Sequence, residues 1–269
     1  MTLQVGKIED SKYLNMLIYG KSSTGKTVLA GSAAEIDELN SVLFINVEGG
    51  VKSIKKVWGK ETSDKIDVVN VNSYKEFVKI TEFLKKHIQA KQQSNKEAIK
   101  KIAEHYTPGL KPKIYNTIII DSITEVQSYL MEHILDSQND LLPEKFKKAQ
   151  YDEWGKNRTG LRKIITTLRD LEIHTIFIAL EKVDRNEKTN IETVVPNVGG
   201  SFREVITAYF DFVGYLKAEA SLEDGFKNRL LLAPINNIQA KDRITDLGVK
   251  VDNPKMDILL KSYFNKEEK

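Results

Sequence analysis

Residues 14–35 read LNMLIYGKSSTGKTVLAGSAAE. An apolar run stops at Gly20, crosses a stretch of small polar residues, and resumes with helical spacing after Lys26. Gly20, Lys21, Ser22, Ser23, Thr24, Gly25, Lys26 and Thr27 fit G-x-x-x-x-G-K-[ST] in full. The glycines take the backbone angles that turn successive N–H groups toward one point. The N-terminus of the helix that follows adds partial positive charge there. Lys26 can reach the β- and γ-oxygens of a triphosphate, and the Thr27 hydroxyl can ligate Mg²⁺. A glycine-rich turn without a ligand is the bland alternative, but the strand before and the helix after are the context a phosphate loop needs. The stretch predicts ATP and Mg²⁺ as cofactors, and an α/β fold built outward from one buried strand.

The rest of the chain keeps that alternation. Apolar runs at 13–19, 42–47, 65–71, 114–121 and 173–180 read as strands. Helical spacing follows at 26–39, with Val28, Leu29, Ala33 and Ile36 on one side, and again after a Ser73 cap, with Phe77, Ile80 and Leu84. Two further helical stretches occupy roughly 123–137 and 148–171. Continuous apolar strands alternating with helices indicate a mainly parallel sheet covered on both faces. From 181 to 200 the chain is polar and loop-like, and DFVGYLKAEA and NRLLLAPI then read as a hairpin-like pair of strands. One domain is expected, with a core at 13–247 and a tail or helix at 248–269.

Composition narrows the function classes. With 269 residues and no cysteine, the chain can bury a full core but has neither disulfides nor thiolate metal sites. His87, His105, His133 and His174 lack metal-ligand spacing and read as surface or packing residues. No signal-peptide core or membrane span is visible, so an intracellular, cytoplasmic protein is expected. The net charge of +3 is too small to diagnose nucleic-acid binding. The lysine-rich run 85–113 reads as a solvated helix followed by a mobile loop, with a backbone-contacting arm as the sharper alternative.

A phosphate loop needs a second carboxylate for the Mg²⁺ shell, at the end of a neighbouring parallel strand. TIIIDS supplies Asp121, although an Asp in that place also serves as a plain helix cap. Hydrolysis needs a group that orients or deprotonates water. Ser122 follows Asp121 where many hexameric ATPases have Glu. VLFINVEGG offers Glu48 at the tip of another strand, and strand ends of a parallel sheet share one face. Its bland alternative is an exposed loop acid.

Phosphate loop, Glu two residues past an apolar strand, and apolar strand plus Asp-Ser together resemble the RecA-like P-loop NTPase core. More narrowly, FINVEGG, YNTIIIDSIT, PNVGGSFREVITAYFDFVGYL and NRLLLAPINNIQAKDRI are similar to phage-encoded RecA-like nucleotide-binding proteins of single-strand annealing and recombination. The resemblance spans about 14–247. It implies a mainly parallel sheet flanked by helices with a C-terminal β-hairpin, and Glu48 as catalytic base. By the same resemblance Lys241 and Arg243 of AKDR would reach the neighbouring subunit's nucleotide in a homo-oligomeric ring or filament and complete its hydrolysis in trans. Surface charges in a turn are the alternative for that pair. Relatives end the strand at 173–180 with a polar γ-phosphate sensor. Here Leu180 stands in that place, so either Glu181 serves or the sensor is missing.

The loops that hold single-stranded DNA in the family correspond to roughly 182–204. That stretch offers Lys182, Arg185, Lys188 and Arg203, with VGG for mobility and Phe202 as its one aromatic. Arg158, Arg162, Lys163 and Arg169 lie on the preceding helix. The resemblance implies an oligomeric, DNA-stimulated ATPase that binds single-stranded DNA and promotes annealing or homologous recombination. It admits a single-strand-binding protein as a further partner. A RecA-like motor or helicase subunit and a small-molecule P-loop kinase are the alternatives.

Overall fold

A computed structural model of the chain describes residues 12–106, 113–137, 147–185, 187, 190–221 and 225–264. Strand β1 (Asn15–Gly20) is buried along its whole length. It sits inside a sheet with β2 (Val42–Asn46), β3 (Ile66–Asn70), β4 (Thr117–Asp121), β5 (His174–Arg185), β7 (Phe212–Ser221), β8 (Gly225–Leu231) and β10 (Lys250–Asp252), in the order β10-β8-β7-β1-β5-β4-β2-β3. From β7 to β3 every neighbouring pair is parallel. Strands β8 and β10 are antiparallel, and β7–β8 is the C-terminal hairpin expected from the sequence. Two strands lie off this path: β6 (Glu192–Pro196) pairs with β5, and β9 (Lys241–Asp242) with β7.

Successive residues of the central strands feed opposite cores, because side chains alternate across a sheet. Leu17, Tyr19, Ile118, Ile120, Phe177 and Ala179 pack on one face, with α3 (Tyr74–Gln92), α5 (Ile123–Leu135) and α6 (Tyr151–Arg169) supplying Phe77, Leu84, Val126, Leu161 and Ile165. Met16, Ile18, Ile119, Ile176 and Ile178 pack on the other. There α1 (Lys26–Gly31), α2 (Lys52–Ser63) and α8 (Met256–Phe264) supply Leu29, Ile54, Met256 and Leu260. Strands apolar on both sides are why these segments read as unbroken hydrophobic runs.

Four expectations change. The helix after the phosphate loop ends at Gly31, and a 3₁₀ turn covers Ser32–Glu35. Gly31 lies so close to α2 that a Cβ would stand 2.9 Å from Ile54 Cδ1, and the Ser32 hydroxyl donates to Leu29 O. Helix α2 itself was not anticipated; Gly59, at φ 78°, breaks its pattern. The basic run 85–113, expected as a solvated helix and then a loop, holds the end of α3 and a second helix, α4 (Lys96–Tyr106), with Ile99 and Ala103 buried; 107–112 lie outside the described residues. The polar stretch 181–196 is a ribbon, with β5 running on to Arg185 and β6 returning in the register Glu181↔Pro196 to Arg185↔Glu192. Its strands are half-exposed, so they lack the continuous apolar run that marks the central strands. The tetrapeptide helix α7 (Phe202–Val205) follows.

Candidate functional site

The parallel strands end together, and their register builds the site. Gly20 stands opposite Leu180, Asp121 opposite Ile178, and Asn46 opposite Asp121. Chain 47–48 then folds over the end of β4: Val47 N and Glu48 N both donate to Asp121 O, at 2.7 and 3.1 Å. Asn46 Oδ1 accepts from Gly49 N at 3.0 Å, and Asn46 Nδ2 donates to Asn70 on β3. These bonds place Glu48 beside the phosphate loop.

Within the loop, Gly20 takes φ +156°, and a Cβ there would stand 2.1 Å from Leu216 O on β7, so no side chain fits. Gly25 has φ +90° at the N-cap of α1, an angle that L side chains rarely adopt. Lys26 is buried, and its ammonium donates to Gly20 O at 3.0 Å and Lys21 O at 2.6 Å. Burial lowers its pKa, against the pull of Asp121, Glu48 and Glu181. Among the described residues the ammonium is bonded only to neutral carbonyls, which an anionic oxygen can replace. The Thr24 hydroxyl closes the turn on Lys21 O at 2.9 Å, while Lys21, Ser22 and Ser23 are exposed.

Thr27 Oγ1 donates to Asp121 Oδ2 at 2.6 Å. Burial lifts the Asp121 carboxyl to about 6, with the Thr27 bond and the Lys26 charge pulling it back and Glu48 pushing it up. A hydroxyl beside a buried carboxylate is a hard-oxygen donor pair, the kind Mg²⁺ takes. Gly50 keeps the approach open: a Cβ there would stand 3.2 Å from Thr27 Oγ1 and 3.5 Å from Asp121 Oδ2. These residues fit a magnesium ion. No cluster of three or more His, Asp or Glu side chains competes for a metal among the described residues.

Glu48 is exposed and accepts a short hydrogen bond from the Ser122 hydroxyl. Ser122 is fully buried, caps α5 by accepting from Glu125 N, and follows Asp121 through a cis peptide. The residue that stands where many hexameric ATPases carry a Glu thus bonds the Glu of another strand. Sequence reasoning took Ser122 as a departure from the hexameric ATPases and as half of the Asp-Ser pair of the RecA-like resemblance, without a contact to Glu48. The S-x-x-E spacing from Ser122 marks a helix cap and nothing more. Asn228 of β8 was also missed; its amide nitrogen lies 3.1 Å from where a Gly25 Cβ would be, and only the fold brings β8 to the loop.

Of the other sequence candidates, Glu181 joins this site and the rest lie elsewhere. Glu181 accepts from the Tyr215 hydroxyl at 2.8 Å and lies close enough to Lys26 to raise its pKa. Leu180 N donates to Thr124 Oγ1, which donates in turn to Asn197 O. Lys241 and Arg243 are not at this site. Lys241 lies opposite Val213, near the start of β7, and its ammonium donates to Thr207 O at 3.3 Å and Phe210 O at 2.5 Å. Arg243 N donates to Asp211 O, at the sheet end away from the phosphate loop.

Lys182 and Arg185 are exposed on the β5–β6 ribbon, and Arg203 pairs with Asp184 at 3.3 Å. Lys188 lies outside the described residues. Phe202 is 1% exposed and packs in the core, so it is no stacking residue. The VGG segment is anchored rather than free: Gly199 N donates to Gln127 Oε1 at 2.6 Å, and Gln127 pairs with buried Asn157 of α6.

Comparison with protein families matches residues 12–244 to the model described as AAA domain. Comparison with curated protein sequences finds no match. Among the solved structures that match is the crystal structure of the RadB recombinase, 11% identical over 89% of this chain and 87% of that chain, with a TM-score of 0.42. No helix is long and apolar enough to cross a membrane among the described residues.

Proposed function

The chain belongs to the AAA domain family, and from that premise we propose that it is an oligomeric ATPase that binds single-stranded DNA and promotes its annealing or recombination. The observation that carries the ATPase reading is the convergence of Lys26, Thr27, Asp121 and Glu48 at one end of the parallel sheet.

Lys26 exchanges the carbonyls of Gly20 and Lys21 for β- and γ-phosphate oxygens. Thr27 and Asp121 hold Mg²⁺, which when bound neutralises phosphate charge. Glu48, oriented by the Ser122 hydroxyl, takes a proton from the attacking water. Glu181 and Tyr215 stand beside Lys26 where loss of the γ-phosphate changes the local charge. From there Leu180, Thr124 and Asn197 form a bonded route to the 197–203 segment.

Arg243 acts in trans. Its backbone is level with the start of β1, five residues from Gly20, roughly 16 Å along the strand. That is beyond its own side chain's reach, so only a neighbouring subunit's nucleotide is available to it. Lys241 is engaged with its own chain and is the weaker candidate.

The ATP hydrolysis rate with and without single-stranded DNA, across protein concentration, tests the reading. A rate per subunit that rises with both is expected. A rate indifferent to DNA but raised by a metabolite would instead make the protein a small-molecule kinase. Affinity for single strands should fall steeply with salt and depend little on sequence.

A further inference from the structure

Helix α6 opens with Tyr151, 91% exposed, and Trp154, 43% exposed, and the nucleotide site explains neither ring. At 3.6 residues per turn, Tyr151, Trp154, Arg158 and Arg162 fall within about 80° of one another round the helix axis. They form one stripe of two rings and two guanidinium groups along a flank of α6. Lys147, Lys148, Lys156 and Lys163 lie in the same stretch, with Asp152 and Glu153 as its acids. Glu153 is turned back to accept from Gln150 N at 2.9 Å, closing the helix cap. The exposed rings therefore sit in a cationic field.

The stripe is continuous with the ribbon. The Trp154 ring lies against Gly199 so closely that a Cβ there would stand 2.3 Å from Cζ3. Arg158 Nη1 donates to Ser201 Oγ at 3.0 Å. Arg203 bonds back to Gly200 O and across to Asp184 on β5, beside exposed Lys182 and Arg185. Helix flank, glycine segment and ribbon form one surface.

We infer that the Tyr151–Trp154 stripe is a base-stacking platform for single-stranded nucleic acid. The two rings take neighbouring bases, and Arg158 and Arg162 the phosphates beside them. The inference rests on the single-strand reading above and deepens it. Lysine and arginine contacts alone hold the backbone, whereas rings add a sequence-tolerant contact to the base itself. Residues three apart on a helix carry their Cβ atoms about 5–6 Å from each other, close enough to serve consecutive nucleotides.

Trp154 is its own reporter, since Trp58 is the chain's other tryptophan. In full-length protein carrying Trp58→Phe, oligo(dT) should quench the Trp154 emission, and an abasic deoxyribose-phosphate oligomer of equal length should not. Tyr151→Ala and Trp154→Ala should each weaken oligo(dT) binding by about 10-fold and leave abasic binding unchanged. Lys182→Ala and Arg185→Ala should weaken both oligomers alike. Trp154→Phe keeps a ring over Gly199 and should retain most of the oligo(dT) affinity, which separates stacking from displacement of the loop. If oligo(dT) binds without quenching and Tyr151→Ala has no effect, the rings are a protein contact and the platform is wrong, while the single-strand reading stands. If neither oligomer binds, both are overturned.

Discussion

At the scale of single residues, the proposed mechanism divides the work between groups that would hold phosphate and a group that would move a proton. Lys26→Ala removes the buried ammonium and leaves the acids Asp121, Glu48 and Glu181 without the charge that offsets them. ATP affinity should fall at least 100-fold in a calorimetric titration; near-normal affinity would refute the phosphate-loop assignment. Glu48→Gln keeps the shape and can still meet Ser122, but it cannot accept the water's proton. Nucleotide binding should stay within about 3-fold while turnover drops by 100-fold or more, in line with losing a positioned general base. An unchanged rate would return Glu48 to an ordinary loop acid. The loop, Asp121 and Glu48 were legible in the sequence because each sits at a fixed offset from a strand end, and register brings strand ends together. Ser122, Gly50 and Asn228 were not. Their roles come from contacts across 74, 71 or 203 positions of chain, which no local pattern encodes.

At the scale of elements, α3 and β5 are each tied to a strand or its approach by an imidazole that must be neutral. His174 Nδ1 accepts from Leu14 N at 3.1 Å, and His87 Nε2 accepts from Tyr115 N at 3.3 Å. Burial, and then the Lys91 charge that both feel, lowers each to about 4. The unfolded chain binds these protons near pH 6.5 and the folded one only near 4. Stability is therefore full above pH 6.5 and is lost progressively as pH falls to 4, each histidine costing on the order of 3 kcal/mol. Asp121, lifted to about 6, acts in the opposite sense over part of that window. The urea midpoint of the wild type should still fall between pH 6.5 and 4. In His87→Gln/His174→Asn, whose amide oxygens can accept the same N–H bonds, it should stay flat or rise. An equally steep acid loss in the double variant would remove the histidines from the explanation. The sequence left both residues as surface or packing groups and could not tell that each accepts a backbone N–H in the core. The missed elements share one trait. Helix α2 is broken by Gly59, and the outer part of the β5–β6 ribbon is exposed or half-exposed at successive residues, so neither shows a clean period.

At the scale of the whole molecule, the proposed function gives the two ends of the sheet different work. Lys26, Thr27, Asp121 and Glu48 gather where β1, β4 and β2 finish, and exposed Arg243 lies near where β7 starts. The Lys241–Arg243 pair was named through the resemblance of AKDR to RecA-like ring and filament ATPases. That resemblance could not tell that Thr207 O and Phe210 O would occupy one of the two cations. A head-to-tail assembly would set the Arg243 end of one subunit against the phosphate loop of the next, and such a contact is heterologous. Glu48→Gln and Arg243→Ala should then each be inactive alone, for different reasons. Mixed in equal amounts and allowed to exchange, they should regain activity, because about a quarter of head-to-tail interfaces pair an intact Glu48 with an intact neighbouring Arg243. Lys241→Ala should cost less than Arg243→Ala in the same assay. Mixing the two inactive variants over a range of ratios and reading ATP turnover decides the matter: recovery that peaks near equal amounts requires a shared site, and no recovery at any ratio means that each subunit hydrolyses alone.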